Sequence, residues 1–190
     1  MRWLLIVLLI LSTTVDADSY EHYKHHTEYD GYFRKFSKHY FGVGFDWRHF
    51  KAQAIAESNL NPKAKSWVGA QGIMQIMPRT FDEIQRKNKW SQANAVEPRW
   101  NIAAGIWYNK RLFNYWDKGR DLSERLNFMY ASYNAGKQNI LKAQRVAINS
   151  GLNPRYWQSI ASILDEVTGK NSKETVNYVE KITRIKKEIE

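Results

Sequence analysis

The stretch DWRHFKAQAIAESNLNPKAKSWVGAQGIMQIM, residues 46–77, decides how the rest of the chain is read. Asp46 can accept the free backbone N–H groups at a helix start, so it reads as an N-cap. Trp47, Phe50, Ala54 and Glu57 follow at three- and four-residue steps, which lines them on one helical face. The first three are apolar; the fourth is a carboxylate where a core residue is expected. Asn61-Pro62 is expected to end the helix, because a residue before proline is pushed out of helical dihedrals. Glu57 then lies on an apolar face near a helix C-terminus. Burial penalises its anion and the negative end of the helix dipole repels it, so both raise its pKa. A carboxylic acid still protonated near neutral pH is what general-acid chemistry requires. The plainer alternative is a solvated glutamate on the last turn. After Glu57, the positions of Ser66, Gly69, Gly72 and Gln75 describe a loop too interrupted by glycine for a helix, with backbone free to turn sharply or approach a ligand.

Outward from this stretch the chain reads as all-α. Tyr29, Phe33, Phe36 and Tyr40 repeat at helical intervals, and Gly42 and Gly44 break that helix. Pro78 suits the first turn of a helix reaching about residue 87. Residues 101–113 are periodic again, and Gly105 within them reads as tight helix packing. Asp121-x-x-Glu124 has the form of a capping box for a helix through Leu126, Met129 and Tyr130. Further helices are expected over 137–147, 156–167 and 173–189, the last burying Val176, Val179, Ile182, Ile185 and Ile189. Strand signals are almost absent, leaving at most a minimal β-hairpin near 68–74. Residues 1–17, with Arg2, an apolar run and Val15-Asp16-Ala17, have the pattern of a cleaved signal peptide. An uncleaved anchor is the competing reading of that segment. Residues 18–27 read as a solvated arm holding His22, His25 and His26, without a completed metal-ligand spacing. Residues 28–190 are expected to form one domain.

Composition narrows the chemistry. Cysteine is absent from all 190 residues, which removes disulfides, thiol catalysis, Cys-based zinc sites and a lipid-modified N-terminal cysteine. The net charge of +10 favours a polyanionic partner: nucleic acid, an anionic membrane or cell-wall polymer. Nucleic acid is set aside, because no dense basic cluster or nucleic-acid motif is present. Eight Trp, eleven Tyr and eight Phe fill either a core or a sugar-binding cleft, where flat rings give rigid contact area.

The pattern E-S-x-L-x-P-x-A-x-S-x-x-G-A-x-G-I-M-Q-I-M-P-x-T runs without a gap over residues 57–80. It resembles the catalytic signature of lytic transglycosylases, the soluble-transglycosylase group with a goose-type-lysozyme-like helical fold and a substrate cleft. Asn101-Ile-Ala-Ala-Gly105, Tyr133-Asn-Ala-Gly136 and Glu174-Thr-x-x-Tyr178-Val179 resemble that family's later motifs. With Asp46-Trp47-Arg48 the likeness is to the catalytic module of the membrane-bound lytic transglycosylase F type, over about residues 28–187. That type usually carries an N-terminal solute-binding-like domain as well, and the expectation here is the catalytic module without it.

The resemblance implies a peptidoglycan-cleaving lyase in the periplasm or cell envelope. Glu57 would be its single acid and base, cutting the MurNAc-GlcNAc β-1,4 bond with formation of 1,6-anhydro-MurNAc. Ser66 and Tyr133 match positions that orient the catalytic carboxyl. Gln75, Met77, Asn134 and Glu174 match substrate contacts. It implies no cofactor and no metal, a monomer, glycan strands as partner, and service to an envelope-spanning machine. Each position also has a bland reading: a loop-capping Ser66, a core Tyr133, packing for Gln75 and Met77, a helix cap for Asn134, and a first-turn Glu174 favoured by the dipole. Two other functions compete: a goose-type-lysozyme-like muramidase using water held by an aspartate such as Asp82, and a non-catalytic wall-binding module.

Overall fold

Helix α2 (Arg48–Ser58) is buried almost all round. Every residue from Phe50 to Ile55 is buried, so the one-face reading of this helix is too narrow. Covering Phe50 and Ile55 contributes roughly 1.5–3 kcal/mol each, while Ala52 and Ala54 let neighbouring helices approach closely. The N-cap is Trp47 and not the expected Asp46; one residue further out, Asp46 Oδ1 still accepts the Arg48 N–H at 3.0 Å. The other end differs from expectation. The helix stops at Ser58, before Asn61-Pro62, because Asn59 (φ 53°) and Leu60 (φ 61°) are both left-handed. Asn tolerates that conformation; Leu60 is held in it by its buried side chain.

The structure, a computed structural model, describes residues 19–117 and 119–190. The expected signal peptide, residues 1–17, lies outside them. Among the described residues there are nine α-helices and no strand. Around α2 stand α1 (Asp30–Phe41), α3 (Pro78–Asn88), α4 (Pro98–Tyr115), α5 (Leu122–Ala135), α6 (Lys137–Asn149), α7 (Trp157–Ala161), α8 (Asp165–Thr168) and α9 (Asn171–Glu188). Helix α9 lies along α2 and also against α5; α4 carries α1 on one side and α5 on the other; α6, α7 and α8 pack beyond α5. The core runs through Phe33, Phe50, Ile102, Phe128, Ile140 and Ile182, all fully buried. Of the expected apolar side of α9, Val179, Ile182, Ile185 and Ile189 are buried and Val176 is part-exposed.

Three local features depart from the sequence-based expectations. The helix over 156–167 is two short helices, α7 and α8, parted by a tight turn in which Ile163 N–H donates to Ile160 O. Ile163 and Leu164 are both buried there. The hairpin reduces to two isolated antiparallel bridges, Lys65 with Gln71 and Gln71 with Ile76. The arm is solvated as expected, with His22, His25 and His26 exposed, but it is also docked: Tyr20 N–H donates to the Glu188 carboxyl, and a short 3-10 helix (Glu21–Lys24) follows. Lys51, buried in α2, reaches Asp30 of α1 at 2.9 Å and donates to His26 O at 2.8 Å, which ties the arm, α1 and α2 together.

Candidate active site

Glu57 occupies the last turn of α2, with part of its surface left open. Its carboxyl is pushed up from 4.5 to about 7. Burial is the main cause; Glu174 adds to it, while a hydrogen bond from Tyr178 and the charge of Lys181 oppose it. A carboxyl with that midpoint is half protonated at neutral pH, so one side chain can both give and take a proton. The hydroxyl that donates to Glu57 Oε1 belongs to Tyr178 of α9. Tyr178 sits in the third motif noted above, but nothing in its local sequence marks it as the partner of Glu57.

The loop after α2 is braced from several sides. Ser58 Oγ donates to Ile73 O at 2.8 Å, serving the helix end. Tyr133 Oη donates to Met74 O at 2.8 Å. Asn101, at the start of α4, accepts from Met74 N at 2.6 Å and donates to Gln71 O at 2.9 Å. This clamp explains Gly72: with φ +76°, a Cβ there would meet Asn101 Nδ2 at 2.5 Å. Gly105 likewise lets Met74 lie on α4, since a Cβ would stand 2.8 Å from it.

The expected site residues therefore divide. Burial, and after it the nearby Glu57 charge, raise the Tyr133 pKa, but its hydroxyl holds the loop backbone and makes no bond to the carboxyl. Ser66 Oγ accepts the Ala70 N–H at 2.9 Å inside its own loop. Gln75 is left-handed (φ 45°), and its amide donates to Ala64 O and Gly72 O. Met77 stands at the entry to α3, 41% exposed. Asn134 and Glu174 meet across α5 and α9: Asn134 Nδ2 donates to Glu174 Oε1 at 3.3 Å, and Thr175 Oγ1 donates to Asn134 Oδ1 at 2.7 Å. Both line a polar pocket of about 230 Å³. Asp82 is exposed on α3. Trp67, beside Ser66, is 97% exposed at the loop tip.

A larger pocket of about 770 Å³ lies between α5, α7 and α9, over Leu126, Tyr130, Trp157, Val176 and Val179. It does not include Glu57. Its histidine, His49, is pushed down to about 4 by burial and by Lys186, so it is uncharged at neutral pH. The chemistry therefore points to Glu57 and not to the roomier groove. Among the described residues no three His, Cys, Asp or Glu side chains cluster so as to hold a metal.

Comparison with known proteins bears on the family and the fold. The sequence model of the Transglycosylase SLT domain matches residues 36–153, more than half of the chain. A membrane-bound lytic murein transglycosylase F from Desulfosudis oleivorans is 31% identical over 150 residues, covering 73% of this chain and 32% of that protein. The protein of the same name from Shewanella pealeana is 29% identical over 168 residues, covering 83% and 33%. The chain thus spans about a third of the length of these curated relatives. The crystal structure of the 70 kDa soluble lytic transglycosylase from Escherichia coli superposes with a TM-score of 0.61 at 24% identity, covering 86% of this chain and 24% of that one. An inactive mutant of lytic transglycosylase Slt from Pseudomonas aeruginosa gives 0.65 at 21% identity, covering 84% and 23%. These two likenesses establish a common fold.

Proposed function

Because the chain belongs to the Transglycosylase SLT family, we propose that it is the catalytic module of a peptidoglycan lytic transglycosylase, with Glu57 as its one acid and base. The observation that carries this reading is a carboxyl raised to about 7 on a helix end, with a tyrosine hydroxyl as its direct donor.

In the proposed reaction, protonated Glu57 gives its proton to the glycosidic oxygen between MurNAc and GlcNAc. The C–O bond breaks, and Glu57 is left as an anion steadied by the Tyr178 hydroxyl. The C6 hydroxyl of the muramic acid then attacks its own C1 and returns a proton to Glu57. The product is a 1,6-anhydro sugar and the enzyme is restored. An internal hydroxyl held beside C1 has a high effective concentration, so neither a water nor a second catalytic carboxylate is required. Asn134 and Glu174 would receive polar groups of the strand in their pocket, Met77 would touch the sugar, and Ser66, Gln75 and Tyr133 would keep the loop in shape. The high positive charge suits an anionic wall polymer. The relatives' names include "membrane-bound", and we assign the chain to the cell envelope. No helix among the described residues is long and apolar enough to cross a membrane.

Digestion of purified sacculi followed by mass spectrometry tests the proposal. Anhydro-muropeptides, lighter by one water than hydrolysis products, are expected from the native chain and not from Glu57→Gln. Reducing ends instead would assign the chain to the muramidases, with an aspartate such as Asp82 as the candidate to hold the water. Wall binding with no product from either protein would leave a non-catalytic module.

A further inference from the structure

Behind Glu57 runs a line of neutral polar side chains that the proposed reaction does not use. Asn109 on α4 and Gln53 on α2 are both 0% exposed. Asn109 Nδ2 donates to Gln53 Oε1 at 2.6 Å, and Gln53 Nε2 donates to Tyr178 Oη at 3.0 Å. Tyr178 in turn donates its hydroxyl hydrogen to Glu57 Oε1. Each donor in the line points toward the carboxyl.

That direction has a chemical consequence. A tyrosine hydroxyl can donate one hydrogen and can also accept. Beside a protonated Glu57, an unrestrained Tyr178 could turn and accept the acid's proton, removing it from the reaction. Here the Gln53 N–H already occupies the hydroxyl oxygen, which turns the hydroxyl hydrogen to Glu57 Oε1. The acid's own proton is then left on Oε2. Asn109 acts on Gln53 in the same way, since its N–H on Oε1 selects the amide end that faces the tyrosine.

Packing alone does not account for the pair. Asn109 Oδ1 is buried with no hydrogen-bond partner, and a partly satisfied buried polar network is less stable than an apolar one of similar volume. Leucine at both positions would fill comparable space and leave no orphaned acceptor.

We propose, on the reading that Glu57 is the acid and base, that Gln53 and Asn109 are positioning residues which hold the Tyr178 hydroxyl hydrogen on Glu57 Oε1 and so keep the transferable proton on Oε2. The titratable groups that face Glu57 are Tyr178, Lys181 and Glu174 from α9 and Tyr133 from α5. Substitution at 53 or 109 leaves all four in place.

The test uses two variants of the full chain. In the double variant Gln53→Leu/Asn109→Leu, the Glu57 carboxyl is titrated by carbon-13 NMR, its resonance assigned by its loss in Glu57→Gln. The midpoint should move up by about half to one pH unit, because the anion loses a polarised donor. On sacculi, kcat should fall about tenfold with KM within twofold, while the thermal unfolding midpoint is not lowered. In Gln53→Glu, the introduced carboxyl, while protonated, offers a donor and an acceptor as the native amide does. Turnover should match the native chain at acid pH and be lost as that new carboxyl ionises, which a space-filling role would not produce. An unmoved or lowered Glu57 midpoint in the double variant overturns the proposal, as does a Gln53→Glu profile equal to the native one at every pH. The titration decides the matter even if the native chain turns over no peptidoglycan, so the two readings fail separately.

Discussion

The two ends of α2 each carry a carboxylate, and the protein treats them in opposite ways. At Asp46 burial favours the neutral acid but is outweighed by the hydrogen bond from Lys186, the Arg48 N–H and the charges of Lys186 and Arg48, so the pKa is lowered. At Glu57 burial again comes first, but its only direct donor among the described residues is the neutral Tyr178 hydroxyl, and the pKa rises to about 7. The helix dipole reinforces both shifts, favouring an anion at the N-terminus and opposing it at the C-terminus. The raised pKa at one end of this helix therefore follows from which partners are missing there as much as from burial.

Removal of the carboxyl from Glu57 is the severest test of that contrast. Glu57→Gln should lower turnover of sacculi by about a thousandfold, within the range of lost acid–base catalysis, with the fold intact by circular dichroism. The same variant exposes the linkage. A raised folded pKa means that the native state holds this proton more tightly than the unfolded chain, so the stabilisation is complete below about 4.5 and is lost as pH rises through about 7. Urea unfolding should show the native chain losing about 3 kcal/mol relative to Glu57→Gln between these limits. Parallel pH profiles would mean that Glu57 titrates as an ordinary solvated side chain.

Next in size is Tyr178→Phe. Loss of this direct donor should move the Glu57 midpoint further up and lower kcat by roughly tenfold, about 1.4 kcal/mol of the barrier, with the alkaline limb of the pH–rate profile displaced upward. At the other end, Asp46→Asn should cost about 1 kcal/mol and leave turnover within twofold. Its linkage runs in the opposite sense: a lowered folded pKa stabilises above 3.8, and that contribution is lost as pH falls through the folded value, so the variant flattens only the acid end of the profile. Smallest of all, Trp67→Ala should change stability by less than about 0.5 kcal/mol, since the indole is 97% exposed. A raised KM for sacculi with unchanged kcat would show that this ring meets the glycan; no change in either would make it a bare loop tip.

The raised pKa of Glu57 was legible from its place on an apolar face near a helix end, and the packing role of Gly105 from a glycine set inside a helical pattern, although the side chain it makes room for, Met74, comes from the loop. The apolar side of α9 was legible from its spacing. The break between α7 and α8 was not, because Ile163 and Leu164 continue the helical apolar spacing of Trp157 and Ile160. Ser66, Gln75 and Tyr133 carry the motif, yet each spends its hydrogen bonds on the loop, and that choice depends on where the backbone of residues 64–76 lies once Asn101 has clamped it.

By itself the chain's order of residues determined that helices form, roughly where they stop, and that an acid is set on an apolar surface, since periodicity and capping act between near neighbours. What lay beyond it was the company that acid keeps. Tyr178 is 121 positions from Glu57, and Asn109 is 56 from Gln53; α9 and α4 bring them together only by packing on α2. Hydrogen bonds are short and directional, so their partners are chosen by the final placement of whole helices, which no local pattern encodes.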